Sequence, residues 1–202
     1  PAQGPETLEI LEKLTRQAAA MRPQLILWPE ASTPWALRGD DTIRTWTESL
    51  VANTRVPLLL GSLAIEQPNT PAEIWYNAAF IVDPVSGTQT EYYAKQKRVP
   101  FGEYVPFRPL LGWLEKVVPV GSGDIAAGTA PRPLVTNLGT QTVALGPLIC
   151  YEDIFPSLAR DTVRAGADVL VGLTNKGWLG EGAAAYQHAA HSVLRAVETR
   201  RP

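Results

Sequence analysis

Cysteine is nearly absent from this chain, and it also lacks long apolar runs and a strong excess of one charge. The single cysteine, Cys150, excludes an intramolecular disulfide framework and a cysteine-rich zinc site. The 18 Lys and Arg residues are balanced by 20 Asp and Glu residues, which argues against nucleic acid as a partner. No stretch approaches the roughly 20 apolar residues that span a bilayer, and the N-terminus has no signal-peptide pattern. We therefore expect that this chain alone neither crosses a membrane nor directs its own export.

The pattern of apolar residues predicts alternating helices and strands, and hence an α/β layered domain. The length fits one domain, 1–202. Predicted helices cover 5–21, 40–53, 156–165 and 186–200, and predicted strands cover 25–28, 57–65, 143–150 and 168–174. Two further β-rich runs flank a predicted hairpin loop at 83–87. The chain begins at a helix that no strand precedes and stops directly after another helix, so we expect it to be incomplete at both ends.

Three polar residues follow the ends of predicted strands: Glu30, Lys95 and Cys150. Open α/β sheets place their ligand sites at the carboxyl ends of strands. A neutral thiol needs a base that takes its proton or a cation that favours its thiolate, and Glu30 and Lys95 suit these roles. The lysine ammonium could also stabilise the oxyanion that forms when sulfur attacks a carbonyl carbon. This combination indicates acyl transfer through a thioester.

Each of the three residues also has a structural interpretation. Free cysteine is among the residues most often buried in cores, Glu30 could be a surface carboxylate, and Lys95 could be a solvated charge on an edge strand. However, Cys150 is followed by Glu152 and Asp153, and acidic side chains beside an apolar strand end are costly without polar partners. The sequence around the cysteine therefore favours a site.

Two histidines, His188 and His191, lie three residues apart on the last predicted helix. Such a pair could supply half of a metal site. No further ligands accompany them at a suitable spacing, so no metal site is predicted.

Four motifs follow one another along nearly the whole chain. They are Trp28-Pro29-Glu30, then Tyr93-Ala94-Lys95 leading into Val-Pro-Phe-Gly-Glu-Tyr-Val-Pro at 99–106, then Ile149-Cys150-Tyr151-Glu152, and finally Thr174-Asn175 with Trp178. Together they resemble the nitrilase-like, or carbon-nitrogen hydrolase, domain of the apolipoprotein N-acyltransferase family. Plain nitrilases and amidases share the order Glu, Lys, Cys. They usually carry an aspartate where this chain has Glu152, and they lack the proline-rich run.

The resemblance implies a fold and a set of site residues. The fold is the αββα sandwich of nitrilases, here without edge strands and without the family's transmembrane helices. Glu30 is implied to be the general base, Lys95 to stabilise the tetrahedral intermediate, and Cys150 to be the nucleophile that becomes acylated. Three further positions match residues that support this site: Glu103, Tyr151 and Glu152. No cofactor is implied.

The resemblance also implies a reaction in two stages. An acyl chain passes from a phospholipid donor to the cysteine, and then to the α-amino group of the diacylglyceryl-cysteine that begins a bacterial apolipoprotein. Segments outside this chain are implied to anchor the enzyme in the bacterial inner membrane, with the catalytic domain on the periplasmic side.

The loop at 105–120 is the segment that best suits a lipid substrate. Large apolar side chains on a soluble domain often mark partner or membrane contacts. The loop carries seven of them: Phe107, Leu110, Leu111, Trp113, Leu114, Val117 and Val118. Trp113 beside Lys116 suits a bilayer interface, although the same side chains could instead pack back onto the domain.

Three cations depart from the family pattern. Lys176 stands where an aspartate is common after Thr174-Asn175, and Lys97 and Arg98 stand where a histidine and a leucine are common. Positive charge at these positions could lower the thiol pKa, attract lipid headgroups or alter specificity.

Two other functions remain open on the sequence alone. A soluble carbon-nitrogen hydrolase would resolve the acyl-enzyme with water and release ammonia from small amides. A catalytically inactive domain would only bind lipid or a partner protein, and Cys150→Ser would leave its function intact.

Overall fold

The computed structural model describes residues 3–107, 124–175 and 183–202. The helices are α1 (Gly4–Ala20), α2 (Asp41–Thr54), α3 (Pro156–Arg164) and α4 (Ala183–Thr199), with a 3₁₀ helix at Cys150–Ile154. The strands are β1 (Ile26–Trp28), β2 (Leu58–Glu66), β3 (Ile74–Asp83), β4 (Gly87–Thr88), β5 (Tyr93–Ala94), β6 (Leu134–Leu138), β7 (Gln141–Ile149) and β8 (Val169–Leu173). Every predicted helix and strand is present, with bounds shifted by a few residues.

Local sequence accounts for where the first two helices begin and end. Pro5 lies in the first turn of α1, where a missing backbone N–H costs nothing. The Asp40 carboxylate caps α2 by accepting hydrogen bonds from the backbone N–H groups of Thr42 and Ile43, at 2.9 and 3.2 Å. Helix α2 ends at Arg55, whose φ of 59° turns the chain toward β2.

The strands form two sheets. In the first sheet, β1 pairs parallel with β2, β2 pairs antiparallel with β3, and both β4 and β5 pair with β3. In the second sheet, β7 pairs antiparallel with β6 and parallel with β8. The sequence pattern did not predict β6, because this five-residue strand follows a proline-rich segment. Its pairing with β7 closes through Gly139-Thr140, where Gly139 has a φ of 64°, and the glycine between two β-rich runs is the sequence signal that could have revealed the hairpin.

Side-chain alternation along the strands divides the core into layers. On β2, Leu58 and Leu60 pack with residues of α1 and α2, whereas Leu59 between them packs with the second sheet. On β7, Leu145 and Ile149 face the first sheet, and Leu148 packs against α3. The layers therefore run helix, sheet, sheet, helix, and the implied αββα sandwich is confirmed.

The structure changes one expectation and leaves another largely untested. The predicted strand at 143–150 ends at Ile149, and Cys150 instead begins the 3₁₀ helix. Of the apolar loop at 105–120, only 105–107 are described, where Phe107 is exposed; the other six large apolar residues named in it and Lys116 lie outside the described residues. Within the described ranges, no helix has the length and hydropathy needed to span a bilayer.

Candidate active site

Glu30, Lys95 and Cys150 come together where three strands end. Glu30 follows β1, Lys95 follows β5, and Cys150 follows β7. Lys95 Nζ lies 3.4 Å from Glu30 Oε1, and the charges of Glu30 and Lys95 both act on the pKa of the Cys150 thiol. A carboxylate, an ammonium and a thiol are thus brought together at these strand ends.

Lys95 is completely buried between two carboxylates. Its Nζ lies 3.0 Å from Glu103 Oε1 as well as 3.4 Å from Glu30 Oε1, and only 1% of the side chain is exposed. Burial alone would lower the pKa of Lys95, but the charges of Glu103 and then Glu30 outweigh it and hold this pKa above its ordinary value. The side chain is therefore a fixed cation.

Asn77, on β3, joins the two carboxylates, and sequence reasoning missed it. Its Nδ2 donates to Glu30 Oε1 at 2.8 Å and to Glu103 Oε1 at 3.0 Å. Its backbone oxygen accepts from the backbone N–H of Lys95 at 2.8 Å. One buried side chain therefore fixes the positions of both carboxylates that face the ammonium.

The loop that carries Glu30 lies directly on strand β2. A Cβ atom at Gly61 would come within 2.6 Å of Glu30 Cα and 2.7 Å of the Pro29 oxygen, so only glycine permits this approach. Ser32 ties the loop down by donating from its backbone N–H and from its hydroxyl to the Gly61 oxygen, each at 2.9 Å. The backbone N–H of Asn175, after β8, lies 3.4 Å from Glu30 Oε2.

Cys150 is half-buried and has an unusual backbone conformation. Its φ is 56°, in the left-handed region that residues other than glycine seldom adopt. Burial, and then the charge of Glu30, raise the pKa of Cys150 to about 11, and Lys95 only partly offsets them. A pKa this high leaves the thiol protonated at neutral pH.

Glu103 and Tyr151 border the site. Glu103 Oε2 accepts from the backbone N–H of Val99 at 2.8 Å, which closes the start of the proline-rich run onto itself. The ring of Tyr151 lies 5.7 Å from Lys95 Nζ, and its hydroxyl donates to the backbone oxygen of Arg98. Both residues therefore connect the loop at 95–104 to the cluster of Glu30, Lys95 and Cys150.

Glu152 is buried, and its carboxylate accepts four hydrogen bonds from residues other than Cys150. Its Oε1 accepts from the backbone N–H groups of Gln96 and Lys97, at 2.7 and 2.9 Å. Its Oε2 accepts from the Tyr93 hydroxyl and from the backbone N–H of Ile149, each at 2.8 Å. Burial outweighs these four bonds and raises the pKa of Glu152. The carboxyl group thus joins the residues after Lys95 to the residue before Cys150.

Comparison with known families agrees with this geometry. The carbon-nitrogen hydrolase family profile matches residues 2–202. The chain belongs to the carbon-nitrogen hydrolase family. Its curated relatives include two proteins named apolipoprotein N-acyltransferase. The one from Geobacter metallireducens is 36% identical over 206 residues, covering 100% of this chain and 38% of that protein. The one from Chlorobaculum tepidum is 35% identical over 219 residues, covering 98% of this chain and 40% of that protein.

These relatives confirm the resemblance carried by the four motifs. The chain spans about two fifths of the length of the curated relatives that it matches.

Solved carbon-nitrogen hydrolases share the fold. A mutant of the Nesterenkonia AN1 amidase, from the nitrilase superfamily, has a TM-score of 0.68 at 18% identity, covering 100% of this chain and 69% of that one. A carbon-nitrogen hydrolase from Helicobacter pylori G27 has a TM-score of 0.62 at 16% identity, covering 98% and 63%.

Two of the three cations that depart from the acyltransferase pattern have aromatic partners in this carbon-nitrogen hydrolase domain. Lys97 Nζ lies 5.7 Å from the Phe155 ring, and the Arg98 guanidinium lies 4.1 Å from the Tyr104 ring. Arg98 also donates to the Ile125 oxygen at 2.9 Å. Lys176, like Trp178 of the fourth motif, lies outside the described residues.

The two histidines of α4 do not meet further metal ligands in the described part of the chain. No group of three or more His, Cys, Asp or Glu side chains there is placed to hold a metal ion. His188 contacts Asp153 instead, with its Nδ1 3.0 Å from Asp153 Oδ2.

Proposed function

We propose that this chain is the catalytic domain of an apolipoprotein N-acyltransferase that works through a Cys150 thioester. The observation that carries the proposal is the contact set of Lys95, whose buried ammonium lies 3.4 Å from Glu30 and 3.0 Å from Glu103 and acts, like Glu30, on the pKa of the Cys150 thiol. The names of the relatives support the acyltransferase class. The curated names and the site chemistry thus point to the same reaction.

In the first half-reaction, Glu30 removes the thiol proton as the sulfur attacks the ester carbonyl of a phospholipid. A base is required because the raised pKa keeps the thiol protonated at neutral pH. The carbonyl oxygen becomes an oxyanion, which the buried Lys95 ammonium stabilises. When the tetrahedral intermediate collapses, the C–O bond breaks and the alcohol of the lysophospholipid leaves with the proton from Glu30. Cys150 then carries the acyl chain as a thioester.

In the second half-reaction, the α-amino group of a diacylglyceryl-cysteine attacks the thioester carbonyl. Glu30 takes a proton from the amine, Lys95 again faces the oxyanion, and the C–S bond breaks. The departing sulfur regains its proton from Glu30, and the product is an amide. Both half-reactions use the same base and the same cation, which suits a ping-pong scheme. This function places the domain on the periplasmic side of the bacterial inner membrane.

The test is to detect the acyl-enzyme. The complete protein in membranes is incubated with a phospholipid of one defined acyl chain, and the Cys150 peptide is examined by mass spectrometry. The expected result is a hydroxylamine-labile adduct of that acyl mass, which is absent in Cys150→Ala and disappears when a diacylglyceryl-peptide is added. Hydrolysis of small amides without any acyl adduct would instead assign the site to an amidase.

A further inference from the structure

The turn that carries Cys150 is held from two sides. Its left-handed φ of 56° is a conformation that residues other than glycine keep only where the surroundings enforce it. Glu152 holds the turn toward the residues that follow Lys95. The next residue, Asp153, holds it toward helix α4 on the other side.

Asp153 is a buried carboxylate, and the side-chain contacts that it makes within the described residues go to α4. Its Oδ2 accepts from the Ser192 hydroxyl at 2.9 Å and lies 3.0 Å from His188 Nδ1, while its backbone oxygen accepts from Arg195 Nη1 at 3.1 Å. The Asp153 residue is 2% exposed and Arg195 is 4% exposed. Arg195 is itself held by Glu198, 2.7 Å away. Three polar or charged side chains of α4 therefore converge on one residue, three positions after Cys150.

The spacing of the three α4 partners explains how one helix face reaches a single residue. Positions 188, 192 and 195 follow one another at steps of four and three, so they share a face of the helix. A carboxylate can only accept hydrogen bonds, so His188 Nδ1 must carry the proton that it donates to Asp153. The imidazole is then oriented by the same bond that holds the turn.

We propose that His188 and Asp153 are positioning residues that fix the backbone turn of Cys150 from helix α4. They act on the nucleophile through the 3₁₀ helix and do not touch the substrate. Misplacing a nucleophile by about 1 Å can cost roughly 100-fold in rate, so losing one of the two supports of the turn lowers the rate of acylation. The inference rests on the proposed function for its reaction, but its effect on the thiol can be measured without any substrate.

The experiment compares three variants of the complete protein. His188→Ala removes the donor, His188→Asn keeps an N–H close to the position of Nδ1, and His191→Ala changes the neighbouring histidine as a matched control. Two quantities are measured: the kcat and KM of acyl transfer, and the pH midpoint of Cys150 alkylation by iodoacetamide, followed on its own peptide by mass spectrometry.

For His188→Ala we expect kcat to fall by 10- to 100-fold while KM changes less than twofold. The alkylation midpoint moves downward by at least half a pH unit, because a looser turn exposes the thiol. His188→Asn recovers most of both effects, and His191→Ala shows neither. If His188→Ala does not accumulate as folded protein, Ser192→Ala takes its place and should reduce kcat several-fold in the same pattern.

Unchanged kcat and alkylation midpoint in His188→Ala or in Ser192→Ala, with wild-type acyl transfer intact, would overturn the inference. A fall in thermal stability alone, with neither measurement changed, would also overturn it. If wild-type protein forms no acyl-enzyme but His188→Ala still shifts the alkylation midpoint, the proposed function fails and the positioning role stands.

Discussion

Replacing Lys95 by methionine should destabilise the protein as well as inactivate it. The ammonium is buried between Glu30 and Glu103, at 3.4 and 3.0 Å, and its removal leaves two buried carboxylates without a cation. Breaking a buried ion pair by removing one partner costs about 3–5 kcal/mol. Each kcal/mol lowers the Tm of a domain of this size by roughly 2–4 °C. We therefore expect the Tm of Lys95→Met to fall by about 6–20 °C.

A double variant separates stability from catalysis. Adding Glu103→Gln to Lys95→Met removes one of the two uncompensated charges, so at least half of the lost Tm should return. Acyl-enzyme formation should stay about 100- to 1,000-fold slower than in wild type in both variants, because neither carries the cation that faces the oxyanion. Lys97→Met, two residues further along the same loop and exposed, is the matched control and should keep the wild-type Tm.

The assays are thermal unfolding of the purified complete protein and single-turnover acylation from a defined phospholipid. A wild-type Tm in Lys95→Met would contradict the ion-pair arrangement on which the site is built. Wild-type acylation in the double variant would contradict the role of the ammonium at the oxyanion, even if the stability prediction held.

Three further predictions concern the carboxylates around the thiol. Glu30→Gln should lower the alkylation pKa of Cys150 from about 11, because the Glu30 charge is, after burial, the largest cause that raises it. Alkylation at pH 9, followed by mass spectrometry, should become faster while acyl transfer is lost. Asn77→Leu removes a donor to Glu30 and to Glu103, and thermal unfolding should show a loss of about 1.5–3 kcal/mol per bond. Glu152→Gln replaces one carboxylate oxygen, which accepts from two donors, by an NH₂ group that cannot accept from them. The same assay should therefore show a loss of about 1–3 kcal/mol in the free energy of unfolding. A wild-type Tm would contradict the role of Glu152 in joining these segments.

Local sequence signals were sufficient to predict the strand-end side chains. Glu30 and Cys150 each follow a strand whose apolar run is visible in the sequence, Lys95 follows the two-residue strand β5, and the sheet topology brings those ends together. Asn77 could not be predicted in the same way, because it lies inside the long strand β3 and its partners are 26 and 47 residues away. Its polar side chain at the position before the small residues Ala78 and Ala79 was the one available signal.

The partners of the residues that hold the turn at Cys150 could not be predicted from the sequence either, because they are distant in the chain. Glu152 and Asp153 are adjacent in the sequence, yet the structure sends one toward the residues after Lys95 and the other toward α4. Their acidic character beside an apolar strand indicated polar partners, but only the packing of two sheets and a helix decides which partners they meet. Likewise, the sequence predicted that His188 lies on a helix, but only the tertiary fold shows that it contacts the Asp153 carboxylate.

The charges around Cys150 suit proton transfer during attack better than a preformed thiolate. Burial, and then the charge of Glu30, raise the thiol pKa to about 11, and Lys95 only partly offsets them. In the proposed mechanism, Glu30 loses its charge when it accepts the thiol proton, and an equal charge develops on the carbonyl oxygen of the substrate. Lys95 would then face the oxyanion in place of a charged Glu30, so its attraction would be stronger in the transition state than before it. Glu103 has no part in this exchange, and its charge is the largest of the effects that raise the pKa of Lys95. A second carboxylate therefore favours the ammonium form that the proposed mechanism uses.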